Sequence, residues 1–167
     1  MDANAKKAAL RMIPYGLYVL TAKGSDGTVA AATVNWVTQT SFNPPLIVVG
    51  VKTDSGAYAA IKSAKQFALN VLGKGQQKAA FAFFKPAAVE GDKISGEPFK
   101  TGGNGAPVLT NAPAALECKV VQIVEQGDHH AVVAEVTDVH LPNPLTGRPD
   151  MAVLEMKELG DNVFYGG

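Results

Sequence analysis

What most restricts the fold of this chain is the shortness of the junctions between its strand-like runs. Two long runs, 113–125 and 131–141, are separated only by Gln126-Gly127-Asp128-His129-His130. Leu17–Thr21 is likewise set off from the run Val29–Phe42 by the turn signal Lys23-Gly24-Ser25-Asp26-Gly27-Thr28. Connections this short turn a chain back on itself, because parallel pairing needs a crossover of a dozen or more residues. A doubly wound sheet needs helices between most strands, and this sequence does not offer them. The expectation is a mainly β fold, an antiparallel barrel with a few short helices.

The rest of the chain fits around that barrel. Asp2–Met12 is alanine-rich and stops before Pro14, as a short helix would. After Asn43-Pro44-Pro45, the unbroken apolar run Leu46–Val51 has the length of a buried strand. Ser55 suits the N-cap of a helix through Lys62, with Ala57, Tyr58 and Ile61 on one face. Phe67–Leu72 reads as a strand and Gln76–Phe84 as a helix ended by Pro86. Residues 86–107 contain five glycines and three prolines, which predicts a long loop or lid. Met151–Glu155 and Val163–Tyr165 close the chain as short strand-like runs. At 167 residues, a single domain over 1–167 is expected.

Several function classes fall away. Fifteen basic and fifteen acidic side chains provide no concentrated positive field for a nucleic-acid backbone. The one cysteine, Cys118, excludes an internal disulfide and a CxxC motif. It shares a strand face with Leu116 and Val120, the setting of a small buried hydrophobe and not of a reactive thiol. No apolar stretch approaches the ~20 residues of a membrane span, and the polar start is unlike a signal peptide, so a soluble cytoplasmic protein without membrane contact is expected. His129, His130 and His140 lack zinc-site spacing, and adjacent histidines on a strand face opposite ways, so no metal is expected. Thr101–Gly105 is glycine-rich but lacks the Lys-Ser/Thr of a phosphate-binding loop, and reads as flexible.

Two polar segments remain. Thr33-Val34-Asn35-Trp36-Val37-Thr38-Gln39-Thr40-Ser41 is either an edge strand with threonines in water or a backbone platform for a flat, polar-edged ring. Lys52-Thr53-Asp54-Ser55-Gly56 is either an ordinary cap or an anion site at a helix start, where N–H groups lack intrahelical partners. Both flank the strand Leu46–Val51, so one ligand carrying a ring and a phosphate would use both. On the residues alone, His129 suits a turn histidine bonded to Asp128 or to backbone.

Thr33-x-Asn35 leading into Ser41-x-Asn43-Pro44-Pro45-Leu46, then Ser55 with Ile61, Phe67–Leu72, and Gly127-Asp128-His129 with Glu135-Val136 form an ordered set. In order and spacing, over about residues 10–165, it resembles the flavin reductase-like proteins of the FMN-binding split β-barrel type. The opening Ile13-Pro14-Tyr15-Gly16 and the ending Asn162–Gly167 are similar to the flavin reductase module of flavodiiron proteins. The resemblance implies a Greek-key split barrel, a homodimer with FMN (or FAD) at the subunit interface, NAD(P)H as hydride donor and a redox partner protein. It implies flavin contacts from Thr33, Val34, Asn35, Trp36, Val37, Thr38 and Ser41, largely through main-chain groups. Lys52 and Ser55 would receive the phosphate, Tyr58 belongs to the same binding set, and His129 is the catalytic residue near flavin and nicotinamide. FMN is preferred to FAD because the anion site reads as terminal. Three positions depart from the family pattern: Ala57 replaces a phosphate-binding threonine, Ala134 a glycine, and Trp36 a smaller residue, which fills the ring pocket. A flavoredoxin-like electron carrier without useful NAD(P)H activity and a ligand-free structural barrel are the alternatives.

Overall fold

The computed structural model of the chain describes residues 1–167. Helix α1 (Ala3–Arg11) starts at Asp2, whose carboxylate accepts the Ala5 N–H at 2.7 Å. Strands β1 (Tyr18–Lys23), β2 (Val29–Val34), β3 (Val37–Ser41) and β4 (Leu46–Lys52) follow. Helices α2 (Gly56–Ala64) and α3 (Gln77–Ala82) flank β5 (Gln66–Val71). The short strands β6 (Val89–Glu90), β7 (Lys93–Ile94), β8 (Glu97–Thr101) and β9 (Pro107–Leu109) precede the long pair β10 (Ala114–Val124) and β11 (His129–His140).

Seven strands form one antiparallel sheet in the order β2-β1-β5-β10-β11-β4-β3. Its two edge strands, β2 and β3, are neighbours in sequence, with only Asn35 and Trp36 between them. The sheet therefore curls until its edges meet, and the mainly β, split-barrel expectation holds. Alternation along β4 sends Ile47, Val49 and Val51 inward to meet Leu20, Leu69, Cys118 and Val132. Helix α2 closes one end of this interior with Ala57, Tyr58, Ala60 and Ile61. A second core lies outside the sheet, where Leu17, Val19 and Leu72 pack on Ala79, Ala80, Phe83 and Leu154. Strand β1 is thus covered on both faces, which explains its unbroken run of buried residues. Each fully buried Leu, Ile or Phe in these layers contributes roughly 1.5–3 kcal/mol.

Three segments differ from the sequence expectation. The run Val29–Phe42 is two strands, bent at Asn35-Trp36. Residues 86–107 are not an open lid, because β6 to β9 form a small antiparallel sheet with Ile94, Val108 and Leu109 buried. Its glycine-rich turn is held down by Glu117, 2% exposed, which accepts the N–H groups of Gly103 and Asn104 at 2.8 and 2.6 Å. The expected closing strands are absent: Met151–Glu155 runs from within the 3-10 turn Pro149–Ala152 up to the 3-10 turn Met156–Leu159 and makes single bridges from Gly16 to Glu155 and Gly73 to Val153, and Val163–Tyr165 has no regular structure. No helix is long and apolar enough to cross a membrane.

Candidate functional site

The start of α2 opens onto a groove of about 840 Å³, within the size range of cofactor sites. The Ser55 side chain accepts the Tyr58 N–H at 3.1 Å and donates to the Lys52 carbonyl at 2.7 Å. That cap leaves the N–H groups of Gly56 and Ala57 without intrahelical partners. Ala30–Ala32 of β2 and Ala57 and Ala60 of α2 line the groove, with Lys52, Asp54, Ser63, the 24–28 turn and Phe83–Ala87 around them. Lys52 Nζ lies 3.1 Å from the Asp54 carboxylate, both side chains more than half exposed.

Strand β2 is a sheet edge, and part of that edge is already used. The Thr33 N–H donates to the Phe83 carbonyl at 3.2 Å and the Thr33 hydroxyl to the Ala80 carbonyl at 2.7 Å, tying α3 to the barrel. Because ladder bonds alternate, the N–H and C=O of Ala31 point to the same free side, toward the groove.

A cluster of rings stands beside it. The register of β4 on β11 pairs Lys52 with His129, so both side chains rise from the same face. His129 Nδ1 is 2.9 Å from Asp128 Oδ1, and Nε2 is 2.7 Å from the Tyr165 hydroxyl. The imidazole packs on Trp36, ring centroids 4.6 Å apart, and Tyr165 packs on the same indole at 5.6 Å. Trp36 lies against Gly50, where a Cβ would come within 3.1 Å of the indole. Asn35, 4% exposed, donates its amide to the Tyr165 carbonyl at 3.0 Å. Trp36 Nε1 is buried without an acceptor. The hydrogen bond from His129 holds the Asp128 carboxyl below its usual range. Burial raises the Tyr165 phenol while the Lys52 charge pulls it back down, so Lys52 acts on both the groove and the ring cluster.

The residues expected from sequence therefore divide. Lys52 and Ser55 line the groove, Asn35, Trp36 and His129 meet in the ring cluster, and Lys52 joins the two. Val34 and Val37 turn into the barrel core. Thr38 is exposed and bonds only the Gln39 carbonyl, and Ser41 pairs with Leu46 at the far end of β3. The Tyr58 side chain is buried on the core face of α2, its hydroxyl 2.5 Å from His130 Nδ1 and 3.4 Å from Glu125, so it does not line the groove. Of the main-chain donors at the bend, those of Thr33 and Val37 are spent on Phe83 and Asn35 carbonyls. Sequence reasoning passed over Tyr165, Gly50, the Ala31 edge and the 83–87 wall. Gly50 alone had a readable signal, a glycine inside an apolar strand that marks a close approach.

Glu117, Asp138 and His140 place ligand atoms within 4.8 Å of one another. Glu117 is already engaged, however, by two backbone amides and by His140 Nε2 at 2.6 Å. Cys118 is fully buried, and burial pushes its thiol up to about 12.

A curled antiparallel sheet thus carries a helix start with free amides beside an aromatic cluster. The chain belongs to the flavin reductase like domain family, whose model matches residues 10–155. It is 35% identical over 139 residues to diflavin flavoprotein A 1 of Synechocystis sp., covering 83% of this chain and 24% of that protein. It is 30% identical over 141 residues to a flavin reductase of Pseudomonas putida, covering 84% of this chain and 81% of that one. Among solved structures, the NADH:FAD oxidoreductase SgcE6 of Streptomyces globisporus, in complex with NAD and FAD fragments, superposes with a TM-score of 0.68 at 32% identity. That match covers 77% of this chain and 76% of that one. The chain thus spans about a quarter of the diflavin relative and about four fifths of the Pseudomonas putida flavin reductase.

Proposed function

We propose that this chain, acting as one unit over 1–167, binds FMN or FAD and reduces it with NADH or NADPH. The observation that carries this reading is the position of Lys52. It lines the groove next to Ser55 and stands in register with His129, so one ligand with an acidic tail and a flat ring spans both places. The residues present fit a flavin. Ser55, Lys52 and the free amides of Gly56 and Ala57 suit its phosphate, and the Ala31 edge and the Asn35-Trp36 bend suit the ring. The alanines between them leave room for the linking chain.

A bound flavin supplies the hydride and electron chemistry; the protein binds, orients and screens. Asp128 and Tyr165 hold the His129 imidazole at the nicotinamide side, and Trp36 keeps water from beneath it. The groove beside Ser55 is also lined by Ser63, the 24–28 turn, Phe83 and Phe84. That extent supports FAD as well as FMN. A homodimer belongs to the proposal, supported by Phe42, Val121 and Val139, which one copy leaves exposed. So do a cytoplasmic setting and a partner protein that receives the electrons.

The filled space around His129 favours a second reading, an electron carrier with no useful nicotinamide site. Anaerobic titration of the flavin-loaded protein with NADH and with NADPH separates the two. Bleaching of the flavin absorbance on addition is the expected result. Flavin that binds but resists both nicotinamides supports the carrier, and protein that binds neither FMN nor FAD overturns both readings.

A further inference from the structure

We propose that Tyr165 is a positioning residue for His129: its hydroxyl, together with Asp128, fixes which imidazole nitrogen carries the proton and holds the ring in its tilted packing against Trp36. The consequence for hydride transfer rests on the reading above, whereas the tautomer does not.

Asp128 Oδ1, 2.9 Å from Nδ1, belongs to a carboxylate and can only accept. Neutral His129 therefore carries its proton on Nδ1 and presents an unprotonated Nε2. Nε2 meets the Tyr165 hydroxyl at 2.7 Å, which then donates to it. Asp128 cannot hold this arrangement alone, because its side chain is 91% exposed and water competes for the same oxygen. The histidine side chain, by contrast, is 12% exposed. Both bonds are reached by solvent, so the tautomer rests on Asp128 and Tyr165 together.

Tyr165 is itself placed with care. Its carbonyl accepts the Asn35 amide at 3.0 Å. The next carbonyl, of Gly166, accepts from Arg11 Nε at 3.2 Å, and the Arg11 guanidinium lies 4.1 Å over the Phe164 ring. Three consecutive residues are thus docked against the bend and α1, more than 120 positions away in sequence, and the phenol is delivered edge-on to the imidazole at 5.7 Å. The charged groups that act on this pair are Asp128, Lys52 and Asp54. His130 on the same strand faces Tyr58 and takes no part.

The outcome for catalysis is direct. With Nε2 occupied by an O–H donor, any proton that His129 passes at that nitrogen goes through the Tyr165 oxygen. The pair becomes a two-residue relay with Asp128 as its outer anchor.

The test is Tyr165→Phe, which keeps the ring on Trp36 and removes only the oxygen. Ring-nitrogen NMR of the ligand-free protein at mildly alkaline pH reads the tautomer without any flavin. The wild type should show a protonated Nδ1 and an unprotonated Nε2, and the variant a mixture. Identical ring-nitrogen signals in both proteins overturn the proposal. In the flavin-loaded protein, kcat for NAD(P)H oxidation should fall roughly a hundredfold, the lower end of what a lost proton-transfer group costs, with flavin affinity and nicotinamide KM unchanged. An equal loss in KM alone would make Tyr165 a binding contact and also overturn it. If the ring-nitrogen signals move but no flavin binds, the functional reading fails and the tautomer assignment stands.

Discussion

Replacing the two groove residues of the anion notch, Lys52→Ala with Ser55→Gly, gives the most direct test of where the flavin phosphate sits. The Lys52 side chain is 55% exposed and already paired with Asp54. Exchanging that exposed partner for a phosphate is worth about 1 kcal/mol, the scale of a solvent-facing ion pair. Loss of the Ser55 hydroxyl, whose single proton would turn from the Lys52 carbonyl to the phosphate, removes about another 1 kcal/mol. Together about 2 kcal/mol corresponds to an FMN dissociation constant roughly thirtyfold weaker. Glycine is chosen at 55 because an N-cap glycine costs helix stability only a few tenths of a kcal/mol, whereas alanine costs about 1. Thermal denaturation should therefore change little, and a drop in affinity cannot be put down to a frayed α2.

The assay is quenching of flavin fluorescence by FMN and, in parallel, by riboflavin, which has the ring and no phosphate. The double variant should weaken FMN about thirtyfold and riboflavin hardly at all. Asp54→Ala should act in the opposite direction, tightening FMN a few-fold by releasing Lys52 from its pair, with an effect that fades as salt screens the charge. Equal losses for FMN and riboflavin would show that the phosphate binds elsewhere and would remove the ground for the proposed function.

Other perturbations probe the scaffold that carries the site. Phe84→Ala, at the far end of the groove, should weaken FAD several-fold and leave FMN unchanged, as read by the same titrations. Gly50→Ala puts a methyl 3.1 Å from the Trp36 ring and should shift the fluorescence of this single tryptophan while displacing His129. Burial pushes the Glu117 carboxyl up, but bonds from His140, Asn104 and Gly103 outweigh it and hold the carboxyl below its ordinary 4.5. A depressed carboxylate contributes stability that is complete above the unfolded value and is lost as pH falls through the folded one. Resistance to urea should accordingly fall below about pH 4.5. Glu117→Gln should lose about 2–3 kcal/mol at neutral pH and flatten that acid limb. Cys118, with its thiol at about 12, should resist alkylation in the native protein and react only on unfolding.

The legible parts of the fold were those set by long local patterns. The β10–β11 hairpin, the buried run of β4 and the Ser55 cap could be read because alternation, length and a hydroxyl before an alanine-rich turn each act within one element. The bend at Asn35-Trp36 was hidden, since both flanking strands have the same β-branched texture and the break is imposed by closure of the barrel. The small sheet within 86–107 was hidden for a related reason: two-residue strands are too short to show a period. Glu117 was misleading in a different way. It stands in an alternating run where a glutamate should face water, yet the 102–105 turn folds over it. The same turn, called flexible from its glycines, is held by that carboxylate; at Gly102 a Cβ would come within 2.7 Å of it. Lys52, Ser55 and His129 could be named from sequence, whereas Tyr165 joins His129 only through a contact 36 positions long.

The site joins two kinds of support. The Ser55 cap, Lys52 and His129 stand on β4, β11 and α2, whose buried faces form the interior core, so their spacing is as firm as the barrel. Tyr165 sits on a segment with no regular structure, 46% exposed and fixed mainly by hydrogen bonds to Asn35 through its own carbonyl and to Arg11 through the next. Segments held by a few partly exposed bonds open at far lower free energy than core strands. The protein therefore sets the anion notch and the imidazole rigidly and leaves the imidazole's partner easier to displace. The relay through Tyr165 therefore depends on the docking of that segment, not on the barrel itself. Sensitivity of turnover to changes at Asn35 and Arg11, neither of which touches the groove, follows from that division.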